Sequence, residues 1–200
     1  SNFYKGAFYK PGDYKFVDVN GDGTIGSGDA VYCGSALPIV SGGIVNEFRW
    51  KNFDLSMLMA YSLGRHIVNN LSKAVLTNGK YALMADLNDI SFWEKPGDHP
   101  DYPKLESDRM NSMWSYVDRD VEKVNYLKLK TLTVGYSFPK KWSRKAGIDA
   151  LRVFVSGENL FTWTNYSGLD PETVSIKTGF DLMSNYPLAR KYTLGLTLKF

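Results

Sequence analysis

The final segment, Tyr192-Thr-Leu-Gly-Leu-Thr-Leu-Lys-Phe200, alternates strictly between apolar and polar residues. Side chains of a β-strand point to opposite faces in turn, so this segment predicts a strand with one apolar and one polar face. A soluble domain seldom ends on such a strand with nothing after it to cover the apolar side. In an outer-membrane β-barrel, lipid covers that side. The alternation therefore favours a membrane barrel, and an amphipathic edge strand of a soluble sandwich is the alternative.

The composition is compatible with such a barrel and excludes other classes. The chain has 200 residues, of which 44% are hydrophobic and 14% aromatic. No window approaches the ~20 consecutive apolar residues of a membrane helix, which excludes a helical membrane protein. The formal net charge of +3 is small and the lysines are scattered, so the sequence does not indicate nucleic acid as a partner.

Similar alternation recurs upstream and predicts five strands in all, at about 43–50, 53–62, 124–138, 151–163 and 189–200. The first two form a hairpin through a two-residue turn, Lys51-Asn52, with Asn52 at the position that tolerates positive φ. The apolar parity changes near Lys130, which indicates either a β-bulge or a strand that leaves the membrane there. The fold class is therefore predicted to be all-β and antiparallel.

The connections between these strands alternate between short and long. Outer-membrane barrels keep short turns on the periplasmic side and long loops outside. Counting back from Phe200, the long connections 63–123 and 164–188 are predicted to be extracellular, as is the segment 1–42. Because the smallest known barrels have about eight strands, five strands predict the C-terminal part of a larger barrel.

One loop has the spacing of a calcium-binding EF-hand loop, over residues 18–29. Asp18, Asn20 and Asp22 occupy positions 1, 3 and 5, Thr24 would offer its carbonyl at position 7, and Asp29 takes position 12. Asp29 replaces the usual Glu, so the predicted affinity is weak, about 10⁻⁴ to 10⁻³ M. The flanking residues do not predict the EF-hand helix pair. The sequence predicts one structural Ca²⁺ site, and a metal-free turn is the alternative.

No residue pattern predicts catalysis, and the chain is therefore predicted not to be an enzyme. His66 and His99 are the only histidines, and no nucleophile motif or phosphate-binding glycine loop is present. Glu94, Asp98, His99 and Asp101 lack the fixed spacing of a metal site and are interpreted as a solvated loop.

Several motifs in order resemble one known family. They include Pro11-Gly-Asp-Tyr-Lys-Phe-Val-Asp, Asn125-Tyr-Leu-Lys-Leu-Lys-Thr-Leu-Thr-Val-Gly-Tyr, Val155-Ser-Gly-Glu-Asn-Leu-Phe and Tyr166-Ser-Gly-Leu-Asp-Pro-Glu. Together they resemble the C-terminal part of the SusC/RagA family of TonB-dependent outer-membrane transporters. The resemblance covers nearly the whole chain, which makes it more specific than any single motif.

The resemblance implies a 22-stranded barrel of the cell outer membrane that imports glycans or peptides. It implies a SusD-like surface lipoprotein as lid, the TonB complex acting through a part outside these residues, and the barrel assembly machinery, which would read the terminal aromatic. Outer-membrane lipid would surround the wall. Tyr166, Trp163, Trp93 and Trp114 are candidate sugar-stacking rings, and anchoring at the membrane interface explains Tyr166 and Trp163 equally well. The alternative function is a secreted, calcium-stabilised β-sandwich that binds carbohydrate.

Overall fold

The structure, a computed structural model, describes residues 3–4, 7–8, 11–70, 91–100, 102–104, 117–143, 147–181 and 186–200. The chain divides into two compact units. The first comprises Ser1–Gly34 and Val68–Glu122, and the second comprises Ser35–Ile67 and Lys123–Phe200. Trp114 and Asp101, both considered from the sequence, lie outside the described residues.

The second unit is built on an antiparallel sheet of long strands. These are β3 (Val40–Trp50), β4 (Phe53–Asn69), β5 (Val121–Ser137), β6 (Ala150–Thr164) and β8 (Lys191–Lys199). They lie in the order β3-β4-β5-β6-β8, and the short β7 (Phe180–Asp181) pairs with β4. A short helix, α1 (Lys140–Ser143), lies in the turn between β5 and β6. The all-β fold class is confirmed, because each long strand pairs with its neighbour in sequence.

The long strands extend further than the alternation predicted at one end of the sheet. β4 continues to Asn69 and β5 begins at Val121, whereas the sequence placed both residues in the loop 63–123. Gly64 explains the missed extension of β4. Its φ of 75° interrupts the regular strand geometry, and the apolar alternation is lost beyond it.

The β3–β4 turn differs from the prediction in its backbone. Lys51, not Asn52, has the positive φ, at 55°. The Asn52 carbonyl accepts a hydrogen bond of 2.8 Å from the backbone N–H of Ser137. Asn52 is therefore tied to the end of β5, and the left-handed conformation falls on the first turn residue. The predicted assignment of the positive φ to Asn52 was wrong.

The sheet also has the irregularity that the parity change near Lys130 predicted. The register of β5 and β6 shifts between Leu129 and Thr131, and Asn159 on β6 has a φ of 52°. Asn159 and Leu160 together lie opposite Lys130, which is the arrangement of a β-bulge.

The first unit contains the hairpin β1 (Phe3–Tyr4) and β2 (Ala7–Phe8) and a 3₁₀ turn over Ser27–Asp29. The guanidinium of Arg119 lies 3.8 Å from the ring centre of Tyr102 and donates to the Tyr14 hydroxyl. Burial raises the pKa of Tyr14 to about 12, against the opposing effect of the Arg119 charge. Within the described ranges, no helix is both long and apolar enough to cross a membrane.

Candidate functional site

Over paired stretches of its five long strands, one face of the sheet carries no ionisable side chain other than tyrosine. Residues paired across neighbouring strands share a face, and the Phe53 and Tyr136 rings, 4.7 Å apart, connect β4 to β5 on this face. We call it the apolar face: Val40, Gly42, Ile44, Asn46, Phe48, Trp50, Phe53, Leu55, Met57, Met59, Tyr61, Leu63, Leu132, Val134, Tyr136, Leu151, Val153, Val155, Gly157, Tyr192, Leu194, Leu196 and Leu198.

The opposite face, the polar face, holds the charged side chains of the same stretches: Glu47, Arg49, Asp54, Arg152, Glu158, Lys191 and Lys199. Arg152 of β6 and Asp54 of β4 form an ion pair on this face, with Nη2 2.5 Å from Oδ2. The pair crosses the intervening strand β5 above Gly135, where a Cβ would lie 2.4 Å from Arg152 Nη2. Charge is therefore segregated to one side of a sheet that is only one layer thick here.

The apolar face is an exposed surface in the described chain. Leu194 is 75% exposed and Phe48 is 59% exposed. Large contiguous apolar surfaces are rare on soluble monomers and mark a protein or membrane contact. Aromatic residues concentrate near the turn end of this face, where the rings of Tyr136 and Phe138 are 5.0 Å apart. The same end carries Trp50 and Phe53, and Tyr61 and Tyr192 lie toward the other end.

The structure places the predicted metal ligands in one short exposed loop that is closed by hydrogen bonds. Both oxygens of Asp18 accept backbone N–H groups, from Gly21 at 2.7 Å and Gly23 at 2.8 Å. Asp29 reaches back across the loop, accepting from the N–H of Val19 at 2.8 Å and of Gly26 at 2.6 Å. Positions 1 and 12 of the motif thus organise the two ends of the loop.

The central residues of the loop are linked to one another. Asp22 accepts from the backbone N–H and the hydroxyl of Thr24, at 2.8 and 2.7 Å. The amide nitrogen of Asn20 donates to the other oxygen of Asp22 at 2.9 Å, and the Asn20 carbonyl oxygen accepts from the Asp22 N–H. The loop is therefore a set of side-chain-to-backbone turns.

The pKa values of two of these carboxyl groups are lowered by their hydrogen bonds. For Asp22, the causes are the Thr24 hydroxyl and backbone N–H, followed by the Asn20 amide. For Asp29, the N–H groups of Gly26 and Val19 lower the pKa. Both groups are therefore anionic at neutral pH, which is the state that a cation requires.

The carboxylates are nevertheless not gathered into a finished metal centre. No group of three or more His, Cys, Asp or Glu side chains poised to hold a metal occurs among the described residues. The Asn20 amide nitrogen points inward, where a Cβ on Gly28 would come within 2.5 Å of it. Rotation of that amide is required before Asn20 can present its oxygen to a cation. The residue types fit Ca²⁺, and this side-chain arrangement does not yet form the site.

The other residues that the sequence offered as metal ligands or sugar-stacking rings either have structural roles or lie exposed on the surface. Asp98 Oδ2 accepts from the backbone N–H groups of Glu94 and Lys95, so it closes a turn. Tyr166 is only 6% exposed and donates its hydroxyl to Asp181, which makes its predicted role as a sugar-stacking ring wrong. Trp163 is 52% exposed, with its ring 6.0 Å from that of Phe161. Trp93 is partly buried against Gly12.

A charge network between the middle of β5 and the loop after β6 was not predicted from the sequence. Lys128 Nζ lies 2.9 Å from Asp170 Oδ2 and 2.8 Å from Glu172 Oε2, and Lys130 Nζ lies 2.6 Å from Glu172 Oε1. The sequence did contain a signal for this network. Lys128 and Lys130 are two residues apart, and so are their partners Asp170 and Glu172. Only the fold brings these two pairs together.

Comparison with known proteins assigns the chain to a class. TonB-dependent receptor P3 of Formosa agariphila is 31% identical over 201 residues, covering 95% of this chain and 19% of that receptor. TonB-dependent receptor SusC of Bacteroides thetaiotaomicron is 31% identical over 197 residues, covering 96% of this chain and 18% of SusC. The chain is homologous to TonB-dependent receptors of the SusC/RagA family. It spans about a fifth of the length of these curated relatives. No protein-family model matches it.

Solved structures of the RagAB importer also align with this chain. The RagAB peptide importer in its open-open state aligns with a TM-score of 0.71 at 25% identity, covering 96% of this chain and 21% of that chain. Its closed-closed state aligns with a TM-score of 0.71 at 26% identity, covering 95% and 21%. These relatives and neighbours are named as receptors and importers, and none of the names denotes an enzyme.

Proposed function

We propose that this chain supplies part of the barrel wall and outer loops of a TonB-dependent nutrient importer of the cell outer membrane, and that it has no enzymatic role. The observation that carries the proposal is the apolar face, which is free of Asp, Glu, Lys, Arg and His over paired stretches of five strands. Lipid accepts such a face, and the polar face then borders the lumen. Homology to SusC-type receptors supports the same conclusion.

The height of the apolar face matches the thickness of the apolar part of an outer membrane. From Phe53 to Leu63 the face runs for about ten residue steps, or about 33 Å along the strand at ~3.3 Å per residue. With a strand tilt of about 40°, this corresponds to about 25 Å along the membrane normal, which matches the apolar band of outer-membrane barrels. A sandwich would need a second sheet over this face.

The substrate class and partners follow from the relatives as proposals. RagAB is named as a peptide importer, and SusC as a TonB-dependent receptor. We infer a peptide or glycan as substrate, a SusD-like surface lipoprotein over the outer loops, and the TonB complex acting through a part of the protein outside this chain. The barrel assembly machinery would act on the strand that carries Phe200. Nucleic acid is not an expected partner.

The full-length receptor tests the proposal by its location. It should fractionate with the outer membrane and require detergent for extraction. A soluble, detergent-independent receptor would contradict the proposal. Phe200→Ala should reduce outer-membrane levels, whereas Phe200→Trp, which keeps an aromatic ring at this position, should not. Equal levels in both variants would argue against the assembly signal.

Calcium binding by the loop 18–29 is a second part of the proposal. The ligands would be Asp18, Asn20, Asp22, the Thr24 carbonyl and Asp29, and bound Ca²⁺ would neutralise carboxylates that otherwise repel one another. The side-chain-to-backbone hydrogen bonds that orient Asp18 and Asp29 support it. The ion would stabilise the loop and supply no chemistry.

Calorimetry on the full-length receptor tests this calcium site. CaCl₂ should give a binding heat in the wild type that is lost in Asp18→Ala, with a Kd of about 10⁻⁴ to 10⁻³ M. Asp149→Ala, at a carboxylate outside the loop, is the matched control and should keep the heat. Equal heats in wild type and Asp18→Ala would exclude the site.

A further inference from the structure

The connection between β6 and β8 begins as an extension of the sheet. Asn165 accepts through Oδ1 from the Asn125 N–H at 2.7 Å and donates through Nδ2 to the Lys123 carbonyl at 2.8 Å. These two hydrogen bonds replace the strand ladder where β6 ends at Thr164. The loop therefore leaves the sheet with its first residue still fixed to β5.

Buried ion pairs hold the middle of the loop. Lys128, only 2% exposed, lies between Asp170 and Glu172, and Lys130 contacts the second oxygen of Glu172. By alternation along β5, Lys128 and Lys130 continue the row formed by Leu132, Val134 and Tyr136. The loop covers these charges just where the apolar row ends. Any movement that separates this ammonium from both carboxylates while it stays buried leaves an uncompensated charge, which is strongly unfavourable.

A third cation fixes the backbone of the loop. Arg65 of β4 donates through Nη1 to the Pro171 carbonyl at 3.2 Å, and through Nη2 to the carbonyls of Val174 at 3.2 Å and Ser175 at 3.4 Å. Its Nε is buried without a hydrogen-bond partner in the described part of the chain. Within the described ranges, this guanidinium donates to carbonyls of the loop, and it loses these partners if the loop moves away.

Apolar packing and strand pairing complete the attachment. Tyr166 and Val174 of the loop pack with Ile67 of β4 and Val124 of β5 in a small buried core. The Tyr166 hydroxyl donates to Asp181 at 2.6 Å. At its far end, the loop forms β7, which pairs with β4.

We propose that residues 165–181, here called the strap, stay permanently attached to β4 and β5 at the outer rim of the barrel wall. The strap therefore does not act as a movable lid. The attachment runs along the whole strap, with one ion-pair network, the hydrogen bonds of Arg65 to the backbone, a buried core and a strand pairing. The extracellular position of the strap rests on the proposed function, whereas its immobility rests on these contacts alone.

Hydrogen exchange on the full-length receptor in detergent tests the proposal. Peptides within 165–181 should exchange as slowly as peptides from β5, because the strap opens only with the sheet. Exchange at the rate of an unstructured peptide in the wild type would overturn the proposal without any variant. A receptor that proved soluble would contradict the proposed function and leave this readout intact.

Variants then test which contacts make hydrogen exchange in the strap slow. Lys128→Met should speed exchange in the strap at least ~100-fold, since it leaves the buried Asp170 carboxylate without its cation and Glu172 with Lys130 alone. Lys130→Met, which removes one partly exposed contact, should have a smaller effect and serves if Lys128→Met does not fold. Lys141→Met, at an exposed lysine on α1, is the control. Unchanged strap exchange in both Lys128→Met and Lys130→Met would overturn the role of the charge network.

Discussion

At the scale of single residues, two glycines allow side chains of β6 to lie flat across neighbouring strands. Arg152 crosses Gly135 to reach Asp54, and the ring of Phe154 covers Gly195 of the edge strand β8. A Cβ on Gly195 would lie 2.1 Å from Phe154 Cζ. Neither glycine is needed for its φ. Each is needed because a side chain from the next strand occupies its Cβ position, as when an aromatic ring covers an edge glycine.

We predict that Gly195→Ala destabilises the full-length receptor more than Gly135→Ala. A rigid ring cannot make room in the first case, and overpacking costs about 1–3 kcal/mol. In the second case flexible side-chain ends move aside, and the loss is that of a partly exposed ion pair, about 0.5–1 kcal/mol. Thermal unfolding in detergent measures both. Gly43→Ala, whose Cβ would meet nothing closer than 3.4 Å, is the control.

Two results would contradict this prediction: a larger loss of thermal stability in Gly135→Ala than in Gly195→Ala, or losses in both that are no larger than in Gly43→Ala. Either result would show that the positions of Arg152 and Phe154 do not depend on these glycines.

The lowered pKa values of Asp22 and Asp29 predict how calcium would bind to the loop. Both carboxyl groups are already ionised at pH 7, so binding should release no protons from them. Calorimetry in two buffers with different ionisation enthalpies should therefore give the same heat. A heat that depends on the buffer would mean that a protonated ligand takes part, contrary to this description of the loop.

At the scale of elements, alternation predicted the central part of each long strand but not the ends of β4 and β5. Beyond Gly64 the burial of β4 still alternates, but two of the buried residues, Arg65 and Asn69, are polar, and on β5 the buried Lys128 is polar as well. The apolar alternation is therefore lost where the strands pack against the strap. The strap itself could not be predicted. Its contacts join residues 40 or more positions apart, and in the sequence Lys128 and Asp170 are ordinary polar residues.

The strap should depend on pH through Glu172. Burial alone would raise the pKa of Glu172, but hydrogen bonds from Lys128 and then Lys130 outweigh burial, and the pKa is lowered from 4.5. Its stabilising contribution is therefore full above pH ~4.5 and is lost as pH falls through the lower folded value. Limited proteolysis of the receptor should cut within 165–181 increasingly as pH falls below 4.5, the ordinary pKa of the carboxyl group.

In Glu172→Gln, strap cleavage should show a weaker dependence on pH, with more cutting at pH 7 than in the wild type. Equal pH profiles for the two proteins would assign the acid sensitivity to another carboxylate, such as Asp170.

At the scale of the whole molecule, the order of motifs along the sequence was sufficient to identify the family, and homology to SusC-type receptors confirms it. The loop 18–29 shows the limit of such reasoning. Residue spacing predicted which side chains share the loop, but not that Asn20 turns its amide toward Asp22. The substrate could not be predicted, because no residue pattern specifies it, and one candidate ring, Tyr166, is a buried packing residue of the strap.

The orientation of the sheet is the central claim, and adjacent residues on one strand test it directly. In a full-length receptor with Cys33 and other cysteines replaced, fluorophores are attached at Val134 and Leu194 of the apolar face and at Thr133 and Thr193 of the polar face. Reconstitution with brominated lipids should quench the first two and spare the others. Equal quenching at all four positions, or stronger quenching at the threonines, would contradict a membrane-facing apolar face.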